Sequence, residues 1–146
     1  MSKSKQFKKY QPQPFESTGL GKYRDVNGTE RVDTFARLYS SMLFSKIFMN
    51  MTERQKLLYL YIKSGFYGSR KPNKDYREKE LFQGEEFIYF PWAEAQKTGL
   101  YKASMSGNFY RDLRVLIDNG FIERIASGKL AHKKTVYKFS GEWRNK

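Results

Sequence analysis

The stretch of residues 98–125 contains side chains of the kinds that form hydrogen bonds with the edges of nucleic-acid bases. Asn108, Arg111 and Arg114 lie close enough in sequence to share one turn or two of an α-helix. An arginine guanidinium can bond both major-groove acceptors of guanine, and an asparagine amide can pair in the same way with adenine. Gly107 removes a side chain where the backbone and a phosphate could approach closely. These residue types together are typical of a helix that lies in a DNA groove.

The apolar residues of the same stretch predict an amphipathic helix over residues 104–119. At about 100° per residue, its apolar side chains fall within about 120° of one another; they are Met105, Phe109, Leu113, Leu116 and Ile117. The opposite side is led by Arg111, which is flanked by Gly107, Arg114, Ser104 and Asp118, with Asn108 and Tyr110 at the two edges. We expect Ser104 or Ser106 to cap the start of this helix, where free N–H groups attract phosphate, and Gly120 to cap its end.

An ordinary surface helix with two arginines in water would have the same pattern, but the residues that follow favour DNA binding. Strands are predicted at 121–126 and 135–140, joined by a connector rich in glycine and lysine, as in a hairpin. Its candidate DNA contacts are Lys129, His132, Lys133 and Lys134. A basic loop of this kind can lie over a flanking phosphate or the minor groove. Tyr101 and Lys102, in the turn before the helix, are candidate contacts to the DNA backbone.

The charge balance of the chain also favours a polyanionic partner over simple solubility. The sequence has 28 Lys and Arg against 15 Asp and Glu, a formal net charge of +13 and a pI of about 9.8. Residues 100–146 are the densest part, with ten basic and four acidic side chains. A nucleic acid or an anionic membrane surface would fit this charge. Since no apolar run approaches the ~18 residues of a spanning helix, we expect double-stranded DNA as the partner and no membrane.

Several other function classes are excluded by composition. The chain has no cysteine and one histidine, so disulfides, thiolate metal sites and zinc sites built on several histidines are excluded. No Gly-rich phosphate loop or nucleophile signature is present, and the carboxylates of residues 78–86 lie in a polar stretch. We therefore expect no enzyme, no cofactor and no metal. The amino terminus has no apolar segment of a secretory signal, which predicts a cytoplasmic protein.

The remaining elements follow from local signals. Thr52 and Gln55 form a capping box that begins a helix over 52–64, and Gly65 is expected to end it in a left-handed conformation. A strand at 87–90 leads into a helix at 91–98, with Pro91 in its first position and Gly99 at its end. A short strand is expected around 35–39 and a helical turn near 41–48. Residues 65–85 read as a charged loop.

These elements predict an α+β fold of the winged helix-turn-helix type, a helical core with a small antiparallel β-hairpin as the wing. Residues 34–146 form this domain. Residues 1–33 are basic and contain "QPQP" and three glycines, which oppose regular structure. They are either a flexible tail or a basic arm that follows a phosphate backbone.

The segments "ERQKLLYLYI", "EEFIYF", "TGL", "FYRDLRVLIDNGFIERI" and "TVYKFS" occur in this order. Together they resemble the winged-helix domain at the amino terminus of RepA-type replication initiators, from plasmids of Gram-positive bacteria, and related small proteins of conjugative elements and phages. The resemblance covers roughly residues 35–140 and consists mostly of apolar core positions. It implies that the 104–119 helix enters the major groove, that Asn108, Tyr110, Arg111 and Arg114 read bases, and that residues 129–134 form the wing. Because the chain ends at Lys146, without an initiator's second domain, we expect an accessory or regulatory role in replication, DNA transfer or transcription.

Two other function classes stay open. Aromatic residues interleaved with Lys and Arg could stack the bases of single-stranded nucleic acid or RNA, although Tyr61, Phe109 and Phe121 fall on predicted core faces. A winged helix could instead grip a protein partner, with Phe66, Tyr67 and Trp143 as candidate contacts. A homodimer on paired half-sites, and replication or DNA-transfer proteins, are further partners to be tested.

Overall fold

The computed structural model describes residues 21–33, 36–65, 88–126 and 135–146. The chain divides into two compact units, Met1–Thr34 and Phe35–Lys146. In the described residues, the fold is mixed α+β, with five α-helices and two small antiparallel pairs of strands. The charged loop predicted at 65–85 lies almost wholly outside the described residues.

The described part of the first unit is a short hairpin. Strand β1 (Lys22–Arg24) pairs antiparallel with β2 (Glu30–Val32), with Tyr23 opposite Arg31. The Asp25 carboxylate closes the turn, since it accepts the N–H groups of Asn27 and Thr29 and pairs with Arg31 Nε at 2.6 Å. The hydrogen bond from Arg31 lowers the pKa of Asp25. The sequence predicts no regular structure here, whereas the structure has a hairpin. The hydrogen bonds of the Asp25 side chain explain this difference, because an aspartate that bonds nearby backbone N–H groups favours a turn.

Two short helices open the described part of the second unit. They are α1 (Ser40–Leu43) and α2 (Lys46–Met49), which correspond to the predicted helical turn. The Ser45 hydroxyl caps α2 by accepting the N–H of Phe48 at 3.3 Å. The strand predicted around 35–39 is wrong for residues 36–39, because no neighbouring strand pairs with them in the described structure.

Helix α3 (Glu53–Gly65) begins at the predicted capping box. Gln55 N–H donates to Thr52 Oγ1 at 3.2 Å, and Thr52 N–H donates to Gln55 Oε1 at 3.0 Å. The predicted left-handed conformation at Gly65 is wrong, since this residue is the last of the helix and has no positive φ. The buried side of α3 carries Leu58, Tyr59 and Ile62. Tyr61, which falls on a predicted core face, is 42% exposed, and Leu57 beside this buried side is 43% exposed.

Helix α4 (Trp92–Lys97) and helix α5 (Ser106–Asp118) are joined by a turn that contains Gly99 at φ 78°. Pro91 is the N-cap of α4 rather than its first helical residue, with ψ 167°. Helix α5 packs against both α3 and α4. Its end has the bonding pattern of a Schellman motif: Phe121 N–H donates to Leu116 O, Gly120 N–H donates to Ile117 O, and Gly120 has φ 81°.

Strands β3 (Ile122–Ala126) and β4 (Val136–Phe139) pair antiparallel, as the sequence predicts. Ile88 adds a single bridge on Tyr137, with N···O distances of 2.6 and 2.9 Å. The predicted strand at 87–90 is therefore reduced to this bridge in the described residues. A 3-10 helix (Glu142–Asn145) follows β4.

Two aromatic clusters fill the core of the second unit. Phe109 is fully buried and lies 5.6 Å, centroid to centroid, from both Trp92 and Tyr101. Phe121 is also fully buried and contacts Tyr59 at 5.4 Å. Aromatic pairs at these separations add stabilisation beyond the area that they bury. The first cluster holds the inner side of α5, and the second holds its carboxyl end.

Candidate nucleic-acid interface

The inner and outer sides of α5 separate as the sequence predicts. Phe109, Leu113 and Leu116 are buried, and Met105 and Ile117 are partly buried against them. The exposed residues of the helix are Gly107, Tyr110, Arg111, Arg114 and Asp118. Positions 107, 111, 114 and 118 alternate four and three residues apart, which is the spacing of one helix side. An uninterrupted polar stripe therefore runs the length of α5.

The two arginines of this stripe differ in their surroundings. Arg114 Nε lies 3.4 Å from Asp118 Oδ1, and both side chains are more than 60% exposed. An exposed pair of this kind contributes at most about 0.5 kcal/mol and separates readily. In the described part of the chain Arg111 makes no ion pair. Its guanidinium is therefore the least engaged cation on this side of the helix.

The start of α5 differs from the prediction at both serines. Met105 is the N-cap residue, and no side-chain oxygen caps the helix, so the prediction that Ser104 or Ser106 does so is wrong. The physical reason lies in the preceding turn, where Met105 N–H donates to Lys102 O at 2.9 Å and the Met105 side chain packs on the core. Ser104 is exposed before the helix, and Ser106 is its first residue.

The first-turn amides of α5 therefore remain open. Among the described residues, the N–H groups of Ser106, Gly107 and Asn108 have no acceptor. Free amides at a helix start attract anions through their dipoles. A Cβ added at Gly107 would meet nothing within 4 Å among the described residues, so their packing does not require glycine there. Asn108 is partly buried at the edge of the stripe.

The turn before α5 carries Lys102, which is exposed as predicted, and Tyr101, which is buried. Tyr101 is therefore not a surface contact for a DNA backbone. Its ring packs edge-on against Trp92 and Phe109, at 6.0 and 5.6 Å. The backbone N–H of Lys102 donates to the Met105 sulfur at 3.4 Å, which holds Lys102 beside the helix start.

A buried carboxylate that the sequence interpretation misses ties this region together. Asp112, on α5, is 2% exposed. Its Oδ2 accepts from Arg54 Nε at 2.7 Å and from the Tyr101 hydroxyl at 2.6 Å, while Oδ1 accepts from Gln55 Nε2 at 3.3 Å. The network joins α3, the turn and α5. One signal was available: Asp112 lies three residues after Phe109 and four before Leu116, so it falls on the core stripe.

The network favours the cationic form of Arg54 and the neutral form of the Tyr101 phenol. Arg54 has its pKa raised, chiefly by the hydrogen bond to Asp112. Burial, and then the hydrogen bond to Asp112, raises the pKa of the Tyr101 hydroxyl. A neutral phenol donor and a cationic guanidinium thus both face the carboxylate over the ordinary pH range. A buried charge that is fully hydrogen-bonded in this way is costly to disrupt.

A second group of polar side chains lies on the β3–β4 pair. Arg124 on β3 is the register partner of Tyr137 on β4 and is exposed. Burial raises the pKa of Tyr137, and the charge of Arg124 and the phenol of Tyr110 also act on it. The predicted wing contacts Lys129, His132, Lys133 and Lys134 lie outside the described residues.

Among the residues considered for contact with single-stranded nucleic acid or with a protein partner, some are buried and others lie outside the described residues. Phe109 and Phe121 are fully buried, so neither can stack on a base. Trp143 is partly buried and stacks on Phe121, with ring centroids 6.2 Å apart and an interplanar angle of 9°. It therefore faces its own chain. Phe66 and Tyr67 lie outside the described residues.

Comparisons with protein-family models, curated proteins and solved structures gave no match to this chain. None of the helices in the described ranges is long and apolar enough to cross a membrane. Within those same ranges, no three His, Asp or Glu side chains come together as they would around a metal ion.

Proposed function

We propose that this chain is a sequence-specific double-stranded DNA-binding protein with a winged helix-turn-helix domain, in which α5 reads the major groove. Helices α3, α4 and α5, the short turn between the last two, and the β3–β4 pair follow one another in the order of that fold. The antiparallel strands flank the Lys-rich connector that we propose as the wing. The net charge of +13 supports a polyanionic partner.

One observation supports this proposal most directly. The polar stripe of α5 places Gly107, Arg111 and Arg114 in solvent on a helix whose opposite side is locked in the core by Phe109 and Leu116. A rigidly seated helix loses little conformational freedom when it enters a groove, and exposed guanidinium groups can then bond guanine edges or phosphates. The open amides at the helix start supply further sites for phosphate.

Selection from a random duplex library, followed by sequencing, tests the proposal. Enrichment of one motif is expected, and its arrangement will report the assembly. A palindrome would indicate a dimer on two half-sites, whereas direct repeats would suggest an iteron or a transfer origin. No enrichment at any salt concentration would refute sequence-specific binding. The biological role that we propose is accessory or regulatory, in replication, DNA transfer or transcription of a plasmid, conjugative element or phage.

A different surface supports a second candidate function, that of a protein-interaction module. Tyr39, Phe44 and Met49 lie within one short stretch around α1 and α2, and they are 59%, 77% and 57% exposed. Large exposed apolar side chains of this kind mark protein contacts when they form a patch. Salt dependence separates the two functions, because the logarithm of DNA affinity falls linearly with log salt, whereas an apolar protein contact changes little.

A further inference from the structure

The Arg54 side chain lies beside the turn that leads into α5, although Arg54 belongs to the first turn of α3. Its Nε donates to Asp112 on α5 at 2.7 Å. Its guanidinium carbon lies 5.4 Å from the ring centroid of Tyr101, in the turn. Two contacts of different kinds, a charge-assisted hydrogen bond and a cation–π contact, therefore hold one guanidinium in one position.

Only some of the hydrogen-bond donors of the Arg54 guanidinium are used inside the protein. The Arg54 side chain is 35% exposed, whereas that of Asp112 is 3% exposed. In the described part of the chain, the hydrogen bond of Arg54 to a carboxylate runs through Nε alone. Since a guanidinium has five N–H donors in a planar fork, the terminal Nη donors remain available to a second anion.

The anchors of Arg54 are the chain neighbours of two exposed cations. Tyr101 is followed directly by Lys102, and Asp112 is preceded directly by Arg111. Neighbouring Cα atoms are about 3.8 Å apart, so the backbone of Lys102 lies beside that of Tyr101. Arg54 and Lys102 therefore supply two cations next to the turn that leads into α5, whereas Arg111 is exposed on the polar stripe of that helix.

We propose that Arg54 is a preorganised phosphate-binding residue, in which Asp112 and Tyr101 orient the guanidinium and its remaining donors receive a backbone phosphate of bound DNA. The inference rests on the proposed function and adds a contact outside α5 and the wing. Arginine suits this role because its fork matches the oxygens of a phosphate. A side chain already held in place loses less rotamer entropy on binding than a free one such as Arg111.

The test must separate this contact from the structural role of Arg54. Removal of Arg54 alone would leave a buried, unpaired carboxylate at Asp112 and could unfold the protein. We therefore compare Asp112→Asn with the double variant Asp112→Asn/Arg54→Met. Both lack the buried charge, both retain a side-chain oxygen for the Tyr101 hydroxyl, and they differ only at Arg54. Thermal unfolding by circular dichroism verifies that both are folded.

Binding to a fluorescein-labelled duplex of mixed sequence is measured by anisotropy across a potassium chloride series. We expect the slope of log affinity against log salt to be smaller by about 0.9 in the double variant than in the wild type, the value for one lost phosphate contact. In the wild-type background, Arg54→Lys is expected to retain this slope and weaken binding several-fold, because an ammonium keeps the charge but not the fork.

Failure of this inference is distinguishable from failure of the proposed function. Equal salt slopes for the wild type and the double variant, steep in both, would overturn the phosphate contact of Arg54 and leave DNA binding by α5 intact. A wild-type protein that shows no salt-dependent binding to duplex DNA would overturn both.

Discussion

The backbone N–H of Trp143 donates to the carbonyl oxygen of Gly120 at 3.0 Å, which fastens the 3-10 helix at the end of the chain onto the carboxyl end of α5. Gly120 combines φ 81° with very close contacts, since an added Cβ would lie 2.6 Å from Trp143 N and 2.7 Å from Glu142 C. The opposed atoms are backbone and cannot move aside cheaply. The stacking of Trp143 on Phe121 depends on the same close approach.

Gly120→Ala is therefore expected to destabilise the second unit by about 2–4 kcal/mol, from the left-handed conformation and the clash together. Gly99→Ala is the matched control. Gly99 has a similar φ of 78°, but in the described part of the chain nothing lies within 4 Å of an added Cβ, so only the conformational cost of about 1–2 kcal/mol applies. Urea unfolding measures both. Equal losses of stability in the two variants would show that the close contact of Gly120 with the 3-10 helix adds nothing to the cost of the substitution.

Gly107→Ala should separate folding from DNA binding. An added Cβ meets no atom of the described residues within 4 Å, and alanine is favoured over glycine in a helix by up to about 1 kcal/mol. We therefore expect unchanged or higher stability together with weaker binding to the selected duplex, because the methyl group would obstruct a phosphate at the helix start. Thermal unfolding and anisotropy on the same preparations test this. Unchanged affinity for the selected duplex would show that Gly107 is not part of the DNA interface.

The exposed arginines of α5 are expected to carry the discrimination between DNA sequences. Replacement of Arg111 and Arg114 by Ala should cost about 1–3 kcal/mol for each base-edge contact that is lost, with little effect on folding because both side chains are exposed. Affinity for the selected site is compared with that for a random duplex. Lys133→Ala/Lys134→Ala is the contrasting variant, expected to weaken all sequences alike and to flatten the salt slope. Intact discrimination in a folded Arg111→Ala/Arg114→Ala variant would exclude α5 as the reader.

Alkaline pH is expected to destabilise the fold through its buried tyrosines. Burial raises the pKa of Tyr59 to about 12, from an ordinary value of 10.0. Its phenol thus loses the proton first in the unfolded chain, so its contribution to stability is complete below pH 10 and is lost as the pH rises towards 12. The loss is about 1.4 kcal/mol per pH unit in that window.

Urea midpoints measured from about pH 8 to about pH 11, a range that spans the ordinary tyrosine pKa, test this with Tyr59→Phe as the comparison. The variant should lose less stability across the series than the wild type. Tyr101 and Tyr137 have their pKa values raised in the same direction, so part of the fall should remain. Parallel curves for the two proteins would mean that Tyr59 titrates alike in the folded and unfolded states.

Local patterns were sufficient for the elements whose structure depends on near neighbours. The Thr52–Gln55 capping box, the apolar spacing around Phe109 and the predicted cap at Gly120 indicate the start of α3 and the core side and end of α5. Each involves groups within about four residues of one another, the range over which helix periodicity and capping act. The stripe of Gly107, Arg111 and Arg114 follows from the same spacing.

Tertiary packing decided which side chains are buried and which distant residues form ion pairs. Asp112 lies on a core stripe, but its partner Arg54 is 58 positions away, and no local rule connects the two. Leu57 and Tyr61 have the apolar character of core residues and remain exposed, because α3 buries Leu58, Tyr59 and Ile62 instead. Burial and ion pairing depend on which surfaces meet, and those surfaces belong to distant parts of the chain. The sequence alone therefore predicts which helix could meet DNA, whereas the packing of α3, the turn and α5 determines how that helix is held.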